Sequence, residues 1–210
     1  MSSGVKAIVR LSAAAGFFAL VAFAAPATSR ADERPLFISL GDTARAPIGW
    51  IEFCAEHPGD CASRPSMPRD VVLSTPAWKD LTRVNLWVNG HIKPTTDLEH
   101  YGVIEKWTYP EDGYGDCEDY VLLKRRMLMQ SGWPREALLV TVVRDRHGDG
   151  HAVLTVKTDK GELILDNQND AIRLWSDTGY RFVKRQSQAD PNVWVSLGYP
   201  RAAPATAASR

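Results

Sequence analysis

Residues 116–143 read DCEDYVLLKRRMLMQSGWPREALLVTVV, and the spacing of apolar side chains changes halfway along. Up to Gln130 the apolar positions Tyr120, Val121, Leu123, Met127 and Leu128 recur at three and four residues, the period of a helix with a buried face. Gly132 and Pro134 stop it. From Ala137 the run ALLVTVV is continuous and rich in β-branched residues, the composition of a buried strand. A helix followed by strands predicts an α+β domain, with an antiparallel sheet packed on the helix that starts at Asp116 or Cys117. On this reading Lys124, Arg125 and Arg126 face outward as a solvated basic patch.

Downstream, HAVLTVKT and GELILD alternate as two strands joined by a tight hairpin over Thr158-Asp159-Lys160-Gly161. With Asp159 and Lys160 as the turn, Thr158 faces Gly161 and Val153 faces Asp166. His151 and Asp166 then share one face of the sheet as diagonal neighbours. RFVKRQS is a candidate fourth strand. Upstream, Trp78, Leu81, Val84, Leu86, Trp87 and Val88 predict an amphipathic helix between Pro76 and Ile92, with Asn89-Gly90 able to cap it. Residues 91–109 predict a loop or a short helical turn. Residues 32–68, rich in Pro, Gly and Ser, predict an irregular segment laid over the domain.

The ends of the chain bound its setting. Lys6 and Arg10 precede an apolar run over residues 11–25 and then small residues up to Ala31, the layout of a signal peptide over 1–31. This divides the chain into a signal peptide, a domain at 32–190 and a tail at 191–210 whose PRAAPATAASR composition predicts disorder, and it places the protein in the periplasm. Losing Lys6, Arg10 and Arg30 from 25 basic residues leaves 22 against 25 acidic ones, a balance that does not suggest a nucleic-acid partner.

Export changes the reading of the three cysteines, because an oxidising compartment lets thiols pair. Cys54 and Cys61 flank the turn residues Pro58-Gly59-Asp60, which predicts a local disulfide. Two unlinked thiols, or a metal site that enlists His57, are the competing readings. Cys117 is the cysteine left over. At the first turn of a helix its thiolate is stabilised by unpaired N–H groups and the helix dipole, and the same N–H groups can receive an oxyanion. His151 on a core strand and Asp166 beside it supply a base and an orienting carboxylate, the set that acyl transfer needs. Asn167 and Gln168 are spare candidates for positioning. Asp116, Glu118 and Asp119 crowd the thiol. They read either as a helix cap with first-turn acids or as ligands for a divalent cation.

The stretches GDCEDYVLLKR, GHAVLTV and LILDNQ together resemble the three motifs of the bacterial transglutaminase-like cysteine proteinases, over roughly residues 50–185. The resemblance implies a papain-like core arranged as in transglutaminases, with Cys117 the nucleophile, His151 the general base and then acid, and Asp166 its orienting partner. In the LapG-type periplasmic branch of that family the acids flanking the cysteine hold calcium, and those positions match Asp116 and Glu118. That branch cleaves a large adhesin and is inhibited by a membrane receptor, which implies a cell-surface or periplasmic protein substrate and an inhibitory receptor as partners. The segment with Cys54 and Cys61 has no counterpart there, so the substrate itself is not carried over. The function expected is a periplasmic cysteine peptidase working through a thioester acyl-enzyme. A transglutaminase or acyltransferase with the same triad and a non-catalytic calcium-responsive binding module are the alternatives.

Overall fold

The computed structural model describes Met1 and residues 35–62 and 67–198, so the expected signal peptide and the end of the tail lie outside the described residues. In chain order the elements are β1 (Leu40–Ala44), α1 (Ile48–Glu56), α2 (Thr75–His91), β2 (Lys93–Pro94), α3 (Asp97–Tyr101), β3 (Tyr114–Gly115) and α4 (Cys117–Gln130). These are followed by β4 (Leu138–Arg144), β5 (Gly150–Thr158), β6 (Gly161–Leu165), β7 (Arg173–Leu174), β8 (Arg181–Gln186) and β9 (Trp194–Leu197). Seven strands form one sheet in the order β1-β9-β8-β4-β5-β6-β7, and every pairing within it is antiparallel. No described helix is long and apolar enough to cross a membrane.

One face of the sheet carries the helices. Leu81, Val84 and Val88 of α2 and Tyr120, Val121 and Leu128 of α4 pack with Leu138, Val140, Leu154, Val156 and Leu165 into the main core. Ile38, Val143, Val153, Ile164 and Phe182 form a smaller cluster, with Trp175 and Tyr180 packed against it. Burial on both faces explains why β5 and β6 are buried at all but one of their positions, although their sequences alternate.

The helix α4 stops as its sequence predicts. Gly132 adopts φ +89°, its N–H bonds Met129 O at 3.0 Å, and Trp133 N bonds Leu128 O at 3.1 Å, so two terminal carbonyls are satisfied. The β5–β6 hairpin also has the expected register, with Thr158 opposite Gly161 and Leu154 opposite Leu165. The Ser74 side chain accepts from Ala77 N at the start of α2, and that helix continues through Asn89-Gly90 to His91 instead of ending there. Its inward side is Leu81, Val84, Asn85 and Val88, whereas Trp78, Leu86 and Trp87 stand exposed.

Three expectations are corrected. Residues 40–56 are not irregular: they form β1, which extends the sheet beyond β9, and α1, whose Trp50 and Phe53 enter the core. The sheet also runs past residue 190, because Trp194 of β9 is buried between β1 and β8. The basic patch on α4 fails for Lys124 and Arg125, both buried, and only Arg126 keeps partial exposure. The two have different surroundings. Arg125 lies over the Trp50 ring of α1 at 5.9 Å and donates its Nε to Leu138 O at 3.2 Å, whereas Lys124 is buried toward Asp166 and Asp170.

Candidate active site

The chain just before α4 is held from two sides. β2 and β3 pair in parallel, and Thr95 N donates to Gly115 O at 3.0 Å, which fixes the approach to the helix against the end of α2. Tyr120 of α4 donates its hydroxyl to Ile92 O at 2.6 Å, closing the same corner from within the helix. Gly115 is required here, since a Cβ would lie 2.7 Å from Asp119 Oδ2 and 2.8 Å from Asp119 Cβ. Cys117 therefore opens α4 with its position set by backbone pairing.

The sulfur lies against the sheet, where Ala152 N–H of β5 donates to Cys117 Sγ at 3.3 Å. His151 is the preceding residue on that strand. Its Nε2 is 2.8 Å from Asp166 Oδ1, with both side chains almost wholly buried. This is the diagonal contact that the hairpin register predicts. An ionised Asp166 can only accept, so Nε2 carries the proton and Nδ1 keeps the lone pair available as a base.

Asp166 is tied further by Gln168 N, which donates to Oδ1 at 3.0 Å, and by Tyr180, whose hydroxyl donates to Oδ2 at 2.5 Å. Burial pushes the carboxyl up, but the hydrogen bonds from His151 and Tyr180 outweigh it and hold Asp166 below the usual carboxylate range. Of the two spare candidates, Gln168 contributes through its backbone, whereas Asn167 Oδ1 is buried without a partner. Asn89 of α2 donates to Asp166 O at 2.9 Å and to Asp170 Oδ1 at 2.8 Å, holding the loop after β6 from below. A cavity of about 190 Å³ opens beside Asp166, walled by Gln168, Tyr180, Arg146 and Arg173.

The acids around the thiol are buried and crowded. Cys117 Sγ donates to Glu118 Oε2 at 3.0 Å, and burial together with the Glu118 and Asp116 charges pushes the thiol well above its ordinary pKa. Burial likewise pushes both Asp116 and Glu118 up, joined by the charges of Asp97 and Glu105 on Asp116 and by the charge of Asp116 on Glu118. Asp116 stands at the N-cap of α4, yet its side chain makes no capping hydrogen bond, and its Oδ1 is buried without a partner. Capping therefore does not explain that carboxylate. Asp97, in the first turn of α3, joins the pair: one ligand atom from each of Asp97, Asp116 and Glu118 lies within 4.8 Å of the others. An oxygen-only donor set with an orphaned, buried carboxylate oxygen fits a hard cation such as calcium. Asp119 serves the loop instead, accepting from Thr108 N at 2.8 Å, and burial raises it to about 8.

Cys54 and Cys61 are joined as a disulfide with Cα atoms 5.5 Å apart, and Cys117 is the free cysteine. His57 packs its ring on Phe53 and Tyr109. Sequence reasoning missed Tyr180 and Asp97, which lie in no motif: Asp97 is part of TTDLEH, which reads as a capping box, and Tyr180 sits in a short turn before β8.

The family model of the bacterial transglutaminase-like cysteine proteinase matches residues 40–202. Among solved structures the chain is similar to Legionella pneumophila LapG, at 28% identity over 52% of this chain and 63% of that one, with a TM-score of 0.47. It is similar also to the EGTA-treated form of that protein, at 25% identity, TM-score 0.50, over 61% of this chain and 70% of that one. The calcium-bound form matches at 24% identity and TM-score 0.50, over 60% and 74%. No curated protein gives a match. With three motifs, an antiparallel sheet behind a cysteine helix and a family match over most of its length, the chain belongs to the bacterial transglutaminase-like cysteine proteinases.

Proposed function

We propose that this protein is a periplasmic cysteine peptidase that hydrolyses a peptide bond in a protein substrate, with Cys117, His151 and Asp166 as its triad. The observation that carries the reading is the buried His151 Nε2–Asp166 Oδ1 contact on the strand whose next residue touches the Cys117 sulfur. Asp166 holds the imidazole so that Nδ1 accepts the thiol proton as Sγ attacks the scissile carbonyl carbon. The oxyanion that forms is received by unpaired N–H groups at the start of α4. The C–N bond then breaks, and the leaving amine takes the proton from His151. Water, deprotonated by the same imidazole, attacks the thioester and releases an acid product and the free thiol.

Asp97, Asp116 and Glu118 would hold a calcium ion, and LapG, solved both calcium-bound and EGTA-treated, supports that reading. Bound calcium supplies positive charge that cancels the field of the carboxylates. This chain's own residues respond through Glu118. Its Oε2 accepts a hydrogen bond from the Cys117 thiol, and a carboxylate engaged by a cation would leave the thiol to His151.

Proteolysis in water enriched in oxygen-18 tests the reaction. Hydrolysis places one heavy oxygen in each new C-terminal carboxylate, and the Cys117→Ala variant yields no new termini. Products free of the heavy oxygen and joined to an amine would establish amine transfer in place of hydrolysis.

A further inference from the structure

Tyr180 stands outside all three sequence motifs, yet it touches two members of the triad. Its hydroxyl donates to Asp166 Oδ2 at 2.5 Å, and its ring sets an edge toward His151 with centroids 5.7 Å apart. The turn that carries it is itself held. Tyr180 N donates to Thr178 Oγ1 at 3.2 Å, Thr178 Oγ1 donates to Trp175 O at 2.8 Å, and the Arg146 guanidinium donates to Thr178 O at 3.1 and 2.9 Å.

Resting on the triad assigned above, we propose that Tyr180 is a positioning residue that fixes the rotation of the Asp166 carboxylate and, through it, the orientation of the His151 imidazole. A carboxylate can turn about its Cβ–Cγ bond and present either oxygen. Here Oδ1 takes His151 and Gln168 N while Oδ2 takes the phenol, so donors at both oxygens fix the plane of the carboxylate, and a half-turn only exchanges equivalent oxygens. Tyr180 and Asp166 both line the cavity of about 190 Å³, whereas His151 is buried behind them.

The charged groups facing this carboxylate come from several elements. His151 lies on β5, and the buried Lys124 approaches from α4, where it also feels the charge of Asp170 on the loop that follows β6. Arg146 and Asp145, from the β4–β5 turn, face the phenol. Burial pushes the Asp166 carboxyl up, and the Tyr180 bond is one of those that oppose it. Removing the hydroxyl leaves burial less opposed, so Asp166 binds its proton at higher pH. A protonated Asp166 releases its hold on the imidazole.

The test is Tyr180→Phe in the full protein, read first without substrate. The Asp166 side-chain carboxyl carbon, assigned by its loss in Asp166→Asn, is expected to titrate at higher pH in Tyr180→Phe than in the wild type. With substrate, kcat is expected to fall by roughly ten-fold at unchanged KM, and the acid limb of the kcat profile to move upward. A merely structural role would lower stability and leave that titration in place. If Tyr180→Phe does not fold, 3-fluorotyrosine at position 180 keeps the shape with a stronger donor and is expected to shift the titration down. A folded variant of either kind with an unmoved Asp166 titration overturns the proposal. Because the titration needs no turnover, it stays decisive even if the protein cleaves nothing, a failure that Cys117-dependent cleavage would reveal separately.

Discussion

At residue scale the most unusual group is Lys124, seven positions after Cys117 on α4, fully buried with its Nζ lacking a hydrogen-bond partner. Burial lowers its pKa to about 7, opposed by the charges of Asp166 and Asp170. The folded state therefore gives up this proton well before the unfolded chain does. Between about pH 7 and the ordinary lysine range the unfolded state binds more protons, so this group's contribution to stability rises with pH across that window. Urea unfolding of wild type and Lys124→Met at pH 7 and pH 9 measures it. The wild type is expected to gain relative to the variant at the higher pH, and a difference independent of pH would refute the burial. The sequence did not disclose this lysine, because a KRR triplet on an amphipathic pattern reads as solvated, and its neighbours Asp166 and Asp170 lie some forty residues away in sequence. His151 and Asp166 were legible for the opposite reason: a two-residue turn sets a register by local geometry alone.

At element scale the start of α4 carries the conflict between thiol and acids. Asp116 and Glu118 are raised by burial and by the negative charges around them, and Asp119 is raised by burial to about 8. A raised carboxyl stabilises the fold below its ordinary range near pH 4, and that stability is lost as pH climbs through the folded value. Without calcium the melting temperature is expected to fall between pH 5 and pH 8. Calcium at pH 8 should restore it in the wild type but not in an Asp97→Asn/Glu118→Gln variant. Thermal unfolding in EGTA and in calcium checks this, and an identical response of wild type and variant would remove these acids from the metal site. Asp116 and Glu118 were legible because they flank the cysteine. Asp97 was not: it lies twenty residues upstream, and only the β2–β3 pairing folds α3 back toward α4.

At the scale of the molecule, the sheet places the cysteine helix on one face and the Tyr180 turn at the His–Asp edge, while the disulfide braces the end of α1. Asn192, just before β9, donates to Cys61 O at 2.9 Å, so the bridged loop also anchors the last strand. Replacing both Cys54 and Cys61 by Ser is expected to cost about 2.5 kcal/mol in urea unfolding, the loop-closure value for so short a loop, and to leave Cys117 chemistry intact. The fold class was readable from periodicity. The seven-strand order was not, since β1 and β9 are short and pair with each other across almost the whole domain sequence.

The joint action of Cys117 and His151 is tested most directly by the rate at which iodoacetamide alkylates Cys117 in the folded, non-reduced, calcium-loaded protein. Labelling is expected to be selective for Cys117, and to slow markedly in His151→Ala and in the wild type treated with EGTA. Equal rates in the wild type and His151→Ala, both folded and in calcium, would contradict a catalytic pairing of thiol and imidazole.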